Sequence, residues 1–214
     1  MLAVLNENIW FPPADKANED GLLAIGGDLS IERLLHAYKL GIFPWYSGDV
    51  ILWWNPNPRF VLFPEKLKIS KSMHQVLRGN TFDFSINQNF KEVISLCKTT
   101  TRKGEDGTWI DDDMVEAYNK LHQLGYAISV EVWHKKQLVG GLYGIKIGQI
   151  FFGESMFSTM SNASKFGFIK FTEYLIEQNI TLIDCQVYTQ HLESLGAEMI
   201  ERKTFLEILK NNIK

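Results

Sequence analysis

Residues 127–156 read AISVEVWHKKQLVGGLYGIKIGQIFFGESM, and this stretch decides the fold class. Alternating apolar and polar residues, interrupted by a polar turn at 134–137 and by Gly148, are typical of consecutive antiparallel strands. The predicted strands cover residues 127–133, 138–146 and 149–153. The glycines of LVGGLYG lie on a strand rather than at a helix N-terminus, so they indicate close approach of a neighbouring group and make a poor phosphate cradle. The stretch predicts a three-stranded meander.

Helices and strands alternate on both sides of this meander. Helices are predicted around residues 31–40, 70–78, 90–97, 111–124 and 163–178, with a final short helix near the C-terminus. Further strands are predicted within 59–64, 81–87 and 181–187. Ser30 can cap the first helix and Gly41 can end it. The order predicts an α/β (α+β) fold around one mixed central sheet.

The first part of the chain differs from the rest. Residues 1–58 are rich in turns and aromatic side chains, whereas the regular alternation begins after them. We therefore predict two domains, a small N-terminal domain over residues 1–58 and a larger domain over residues 59–214.

Composition and charge restrict the class of protein. The chain has 214 residues, 45% apolar and 22% charged, as in ordinary globular proteins. Its two cysteines, Cys97 and Cys185, lack metal or redox spacing and favour a reducing, cytoplasmic location. No segment resembles a targeting signal or a membrane span, so no membrane partner is expected.

The net charge of −3 gives no overall basic character, so a nucleic-acid site would need local clustering. Five basic residues against one acid lie between Arg59 and Arg78, and such a stretch can attract phosphate. A solvated helix face beside a strand explains the same charges at least as well.

The strand LIDCQV, residues 182–187, carries two polar side chains on an otherwise apolar segment. In an extended strand Asp184 and Gln186 share one face. A buried, unpaired carboxylate would cost several kcal/mol, so either the strand is a solvated edge or the two residues serve a site. Periodicity leaves these alternatives balanced. Glu154, between Phe152 and Met156, is likewise either a structural or capping group or a group that orients a ligand.

Other features are less specific. Aromatic residues near turns beside a basic stretch are typical of base-stacking sites, although most of the tryptophans among them are better explained as core of a small domain. These aromatic residues are Trp10, Trp45, Tyr46, Trp53, Trp54 and Trp109. The sequence contains no phosphate-loop, dinucleotide, zinc-protease or serine-hydrolase motif. These absences lower the support for ATP-dependent, redox and hydrolytic functions.

Nine ordered blocks resemble the leucyl/phenylalanyl-tRNA–protein transferase family, and the match runs from about Phe11 to Phe205. The blocks are GLLAIGGDLS (21–30), AYKLGIFPWYS (37–47), ILWWNPNPRFVL (51–62), GTWI (107–110), VGGLYG (139–144), FFGESMFS (151–158), NASK (162–165), LIDCQV (182–187) and SLGA (194–197). The resemblance implies a small N-terminal domain followed by an acyl-CoA N-acetyltransferase-like (GNAT-like) domain.

The same resemblance implies a function. Members transfer Leu or Phe from aminoacyl-tRNA, with Met as an additional candidate donor, to the α-amino group of proteins that begin with Arg or Lys. The product enters the N-end rule degradation pathway. The reaction converts an ester into an amide and runs downhill, so neither a cofactor nor a metal is expected. A monomer is the default expectation.

The resemblance also assigns residues. The catalytic candidates are Asp184, Gln186 and Glu154, with Gln186 positioning the reacting groups while Asp184 fixes or polarises it and attracts the cationic acceptor. The substrate-binding candidates are Trp45, Trp109, Tyr38, Tyr118, Leu142, Phe151, Phe168, Phe171 and Ile183. The tRNA-binding candidates are Lys66, Lys68, Lys71 and Arg78.

Two alternatives to the transferase function are an acyl-CoA N-acetyltransferase and a non-catalytic tRNA- or peptide-binding module.

Overall fold

The computed structural model describes residues 2–100 and 109–213. Gly107 and Thr108 of the GTWI block lie outside the described residues.

The N-terminal part forms a four-stranded sheet in the order β1-β2-β4-β3. Its strands are β1 (Ala3–Leu5), β2 (Leu22–Gly26), β3 (Phe43–Pro44) and β4 (Leu52–Trp54). Helix α1 (Ile31–Lys39) connects β2 to β3. Ser30 Oγ accepts a hydrogen bond from the Arg33 amide, and Gly41 adopts a φ of 72° after the helix, as the capping pattern predicts. A sheet of such short strands is more regular than the sequence indicated.

The larger part is built on a seven-stranded sheet in the order β11-β5-β10-β9-β8-β7-β6. Its strands are β5 (Arg59–Leu62), β6 (Asp83–Ile86), β7 (Ala127–His134), β8 (Gln137–Ile147), β9 (Ile150–Ser158), β10 (Leu182–Gln186) and β11 (Glu198–Ile200). The β9–β10 pair is parallel and the others are antiparallel, so the sheet is mixed. The predicted α/β (α+β) class and the meander β7-β8-β9 are confirmed.

Helices cover both faces of this sheet. They are α2 (Lys71–Arg78), α3 (Phe90–Thr99), α4 (Asp112–Gln123), α5 (Ala163–Glu177), α6 (Gln190–Glu193) and α7 (Arg202–Asn212). One core contains residues of α1, α3, α4 and α7, and the other contains residues of α2 and α5. Apolar side chains of β10 alternate between the two, with Leu182 in the first core and Ile183 in the second.

The glycine-rich strand β8 meets the rest of the protein at close range. A Cβ on Gly144 would lie 2.1 Å from the Phe152 carbonyl oxygen, and one on Gly141 would lie 2.7 Å from that of Val130. The close approach predicted from LVGGLYG is therefore made by neighbouring strands.

The predicted domain boundary after residue 58 stays a prediction. The first sheet ends at Trp54 and the second begins at Arg59. However, one hydrophobic core includes Tyr38 and Trp53 from the N-terminal part together with Phe152 and Phe205 from the rest.

Candidate active site

A pocket of about 790 Å³ opens where strands β9 and β10 separate. Their pairing ends at Phe152 and Asp184, although β9 continues to Ser158. Both strands are also irregular at this point. The register of β9 against β8 shifts around Glu154, and that of β10 against β5 shifts around Cys185. Because bulges re-aim side chains, these two irregularities direct polar groups into the space between the strands.

Glu154 lines the pocket and accepts three hydrogen bonds. Tyr38 Oη and Gln186 Nε2 donate to its Oε1 at 2.8 Å and 2.9 Å, and Tyr118 Oη donates to its Oε2 at 2.9 Å. The two phenol oxygens also hydrogen-bond each other. Burial raises the pKa of Glu154 to about 7 even though the three donors lower it, and the charge of Asp184 adds to the rise. This carboxyl can therefore gain and lose a proton near neutrality.

The free energy of unfolding should depend on pH through the titration of Glu154. Because the folded-state pKa of Glu154 is about 7 against an ordinary value of 4.5, folding binds a proton between these two pH values. The contribution to the free energy of unfolding is full below pH 4.5 and is lost as the pH rises to about 7. Glu154→Gln should lack this slope, since its amide is always neutral. Urea unfolding of both proteins across the window tests it, and a constant difference between them would contradict the raised pKa.

Gln186 is held in an unusual backbone conformation. It ends β10 with a φ of 64°, which is uncommon for a residue other than glycine. Its backbone N–H donates to Asp184 Oδ1 at 3.0 Å while its side-chain amide donates to Glu154. Strand β10 lies between β5 and β9, and Asp184 and Gln186 are 0% and 8% exposed. The solvated-edge alternative is therefore wrong, and the strand is buried.

Asp184 is paired with a residue that sequence reasoning assigned to the surface. Arg59 Nε and Nη2 donate to its two carboxylate oxygens at 2.8 Å and 2.7 Å, and both side chains are almost completely buried. The Arg59 guanidinium lies between the rings of Phe43 and Phe205, 4.7 Å and 4.6 Å from their centres.

The buried pair bears on two expectations, one for Asp184 and one for Arg59. Asp184 lines the pocket but is 0% exposed and bound to Arg59, and attraction of a cationic acceptor by its charge stays a prediction. Arg59 is also removed from the basic surface stretch. Its partner lies 125 residues away, and no local signal in the sequence could have identified it.

Most of the predicted substrate-binding residues meet at the pocket. Its lining includes Trp45, Trp109, Leu142, Phe151, Phe168 and Ile183. Tyr38 and Tyr118 are fully buried behind Glu154. Phe171 is not brought into the pocket, because it packs against Phe151 with ring centres 4.8 Å apart. Direct contact of Phe171 with a ligand is thus not supported by its position, and the roles of the others stay predictions.

The predicted tRNA-binding residues lie outside the pocket lining. Lys66 forms an exposed ion pair with Glu198 at 2.6 Å and lies over the Phe63 ring. Lys68, Lys71 and Arg78 are exposed on and before helix α2. Their role as a phosphate-binding surface stays a prediction.

His191 is a pocket residue that sequence reasoning missed. It lies on α6, and its Nε2 is buried without a hydrogen-bond partner. Burial lowers its pKa, and the charge of Lys165 lowers it further, so the imidazole is neutral near pH 7. The only available signal was a histidine shortly after a polar strand end.

Within the described ranges, no group of three or more His, Cys, Asp or Glu side chains could hold a metal ion. None of the helices described is long and apolar enough to cross a membrane.

The site combines a carboxyl group and a side-chain amide with an apolar pocket, an arrangement typical of an enzyme that binds an organic substrate. Comparison with known proteins identifies its kind. Family models match residues 27–57, described as "Leucyl/phenylalanyl-tRNA protein transferase N-terminal domain", and residues 61–210, described as "Leucyl/phenylalanyl-tRNA protein transferase". The chain belongs to the leucyl/phenylalanyl-tRNA–protein transferase family.

Similar proteins carry the same family name. The chain is 56% identical to the leucyl/phenylalanyl-tRNA–protein transferase of Flavobacterium johnsoniae over 97% of this chain and 98% of that protein. It is 54% identical to that of Syntrophus aciditrophicus (98% and 88%) and 50% identical to that of Pseudomonas fluorescens (100% and 96%). The family resemblance predicted from the nine blocks is confirmed.

Solved structures are similar only at a low level. L-PGS from Bacillus licheniformis superposes with a TM-score of 0.44 at 12% identity, covering 88% of this chain and 65% of that one. A GCN5-related N-acetyltransferase-like protein from Streptococcus suis gives a TM-score of 0.37 at 18% identity, covering 68% of this chain and 60% of that one.

Proposed function

We propose that this protein transfers Leu or Phe from aminoacyl-tRNA to the α-amino group of proteins that begin with Arg or Lys, within the N-end rule pathway. The observation that carries the proposal is the pocket, in which apolar side chains stand beside Glu154 and Gln186. Leu142, Phe168 and Ile183 offer an apolar site for the side chain of the donor amino acid. Trp45 and Trp109 offer aromatic surfaces on which a terminal adenosine can stack.

The chemistry needs few groups. An unprotonated amine attacks the ester carbonyl, negative charge develops on the carbonyl oxygen, and the departing ribose oxygen takes up a proton. Gln186 positions the reacting groups through its side-chain amide. The hydrogen bond to Glu154 holds this amide in place, and the hydrogen bond from the Gln186 backbone N–H to the Asp184 carboxylate holds the backbone. Asp184 accepts hydrogen bonds from the Arg59 guanidinium and from the backbone N–H of Gln186. It therefore orients the end of strand β10 and is not the base that takes the proton from the attacking amine.

The remaining features belong to the same proposal. The enzyme acts as a monomer in the cytoplasm and uses no cofactor. Neither Cys97 nor Cys185 forms a disulfide, which agrees with a reducing compartment. Met is proposed as an additional donor, because an unbranched apolar side chain adapts to an irregular apolar pocket.

The proposal is tested by incubating purified protein with radiolabelled Leu-, Phe- or Met-tRNA and with peptides that begin with Arg, Lys or Ala. We expect label on the Arg and Lys peptides and none on the Ala peptide. Absence of tRNA-dependent labelling of the Arg and Lys peptides would overturn the activity, and equal labelling of the Ala peptide would overturn the acceptor preference.

A second prediction concerns tRNA. Lys68→Glu combined with Lys71→Glu should raise the KM for aminoacyl-tRNA and flatten its dependence on salt, because fewer phosphate contacts release fewer counterions. The kcat should change little, since both side chains lie outside the pocket lining. The matched control is Lys203→Glu with Lys210→Glu on α7, which changes the charge equally. A salt slope shifted equally by both double variants would assign the effect to net charge alone.

A further inference from the structure

Glu154, Tyr38 and Tyr118 form a closed ring of hydrogen-bonded oxygen atoms. Tyr38 Oη contacts Oε1 of the carboxyl group, Tyr118 Oη contacts Oε2, and the two phenols contact each other. Each phenol supplies one proton. If Glu154 is ionised, only the two phenol protons are available for the three contacts. One contact then has no proton, and lone pairs of its two oxygen atoms face each other. If Glu154 is protonated on Oε2, this O–H donates to Tyr118 Oη, Tyr118 donates to Tyr38 Oη, and Tyr38 donates to Oε1. Each of the three contacts then has one proton, so the neutral carboxyl group fits the ring.

The surroundings favour the same state. Tyr38 and Tyr118 are fully buried, and burial raises the pKa of both phenols well above their ordinary range, so they keep their protons. Asp184 contributes a negative charge near Glu154, and Arg59 on β5 is bound to Asp184. Gln186 on β10 offers a neutral amide, and Tyr143 on β8 packs edge-on against Tyr118. Across residues 2–100 and 109–213, no lysine or arginine is ion-paired with Glu154.

We propose that Glu154, where it lines the pocket, is protonated, that its proton completes the carboxyl–diphenol ring, and that Glu154 gives this proton to the ribose oxygen that leaves during aminoacyl transfer. The proposal rests on the proposed function for its second half, whereas the ring itself does not depend on any activity. In it Glu154 is the catalytic acid, and Tyr38 and Tyr118 are positioning residues that act through Glu154.

The proton balance of the step is closed. The amine nitrogen attacks the ester carbon, and a C–N bond forms. As the bond between that carbon and the ribose oxygen breaks, the Glu154 proton passes to the departing oxygen. The proton released by the nitrogen restores the carboxyl group. One proton thus moves from nitrogen to oxygen, nothing is oxidised or reduced, and the enzyme returns to its starting state.

The phenols have a function in the ionised intermediate too. Once Glu154 has lost its proton, both hydroxyl groups can turn towards the carboxylate and stabilise it. Removing one hydroxyl removes a donor to the anion, so the pKa of Glu154 should rise further in Tyr38→Phe and in Tyr118→Phe. A purely structural role would lower stability without moving this titration.

The ring is tested directly by infrared spectroscopy, using difference spectra between wild type and Glu154→Gln. We expect the band of a protonated carboxyl group below pH 7 and its loss as the pH rises through about 7. The loss should shift to higher pH in both phenol variants. The matched control is Tyr46→Phe, which deletes a phenol–carboxylate hydrogen bond of 2.8 Å to Asp111 outside the ring and should leave the titration unchanged. Absence of the band, or a titration that neither phenol variant moves, would overturn the ring.

Proton delivery is tested by kcat for Leu transfer to an Arg-initiated peptide across the same pH range. Glu154→Gln should lose about 10²–10⁴-fold in kcat, as expected for removal of a general acid. Dividing the kcat of each phenol variant by the kcat of wild type cancels the titration of the acceptor amine, because both enzymes use the same acceptor. This ratio should rise with pH. A ratio that is flat across pH would overturn delivery by Glu154. An inactive wild type with the expected infrared titration would overturn the proposed function and leave the ring intact.

Discussion

Replacing Arg59 with Met should lower the free energy of unfolding by about 3–5 kcal/mol, the usual cost of leaving one partner of a buried ion pair alone. Asp184 would then remain 0% exposed without its two guanidinium donors. Asp184→Leu should cost a similar amount, because it strands the guanidinium between Phe43 and Phe205. Urea unfolding measures both changes.

The double variant distinguishes pairing from packing. Arg59→Met with Asp184→Leu replaces two buried charges by apolar side chains, so most of the lost stability should return. Transfer activity should stay low, because the backbone N–H of Gln186 loses its acceptor, the Asp184 carboxylate. Lys66→Met is the matched control, since it breaks an exposed ion pair of 2.6 Å and should cost at most about 1 kcal/mol. Single variants within about 1 kcal/mol of wild type would contradict the importance of the buried pair.

Shortening Gln186 by one methylene group should lower kcat by at least about tenfold, as expected when one hydrogen-bonding group at a reacting centre is lost. Gln186→Asn keeps an amide, and asparagine tolerates the left-handed φ of 64° better than most residues. The shorter side chain cannot keep the 2.9 Å hydrogen bond to Glu154 while the backbone stays in place. Transfer from Leu-tRNA to an Arg-initiated peptide is the measurement.

Folding and catalysis are separable at this position. Gln186→Gly retains the left-handed backbone and removes the whole side chain, so it should fold and show at least as large a loss of rate. Gln190→Asn, at an exposed position of α6, makes the same chemical change away from Glu154 and should transfer normally. Near-wild-type rates in Gln186→Asn and Gln186→Gly would exclude the side chain from the mechanism.

Sequence reasoning succeeded where the signal was local. The helix over residues 111–124 was predicted from periodicity, and α4 occupies Asp112–Gln123 with Asp111 accepting from the Met114 amide as its cap. The polar turn at 134–137 holds Lys135 and Lys136 at φ values of 50° and 66°, as a tight hairpin requires. Such features depend on residues a few positions apart, so a short window contains their cause.

The candidate site was predicted only in part. Glu154, Asp184 and Gln186 were named from the family resemblance, while periodicity left their burial undecided. The missing information was the identity of their partners. Tyr38 reaches Glu154 across 116 residues, and no spacing within either segment encodes that contact.

By itself the sequence determined the α/β (α+β) class, most element boundaries and the family, because periodicity, caps and ordered motifs are properties of neighbouring residues. Only the tertiary structure decided that Asp184 is paired with Arg59, whereas burial raises the pKa of Glu154 to about 7. The physical reason is that the state of a buried acid depends on the charges and donors packed around it. Arg59 neutralises Asp184, and two phenols and an amide surround Glu154 without supplying a cation.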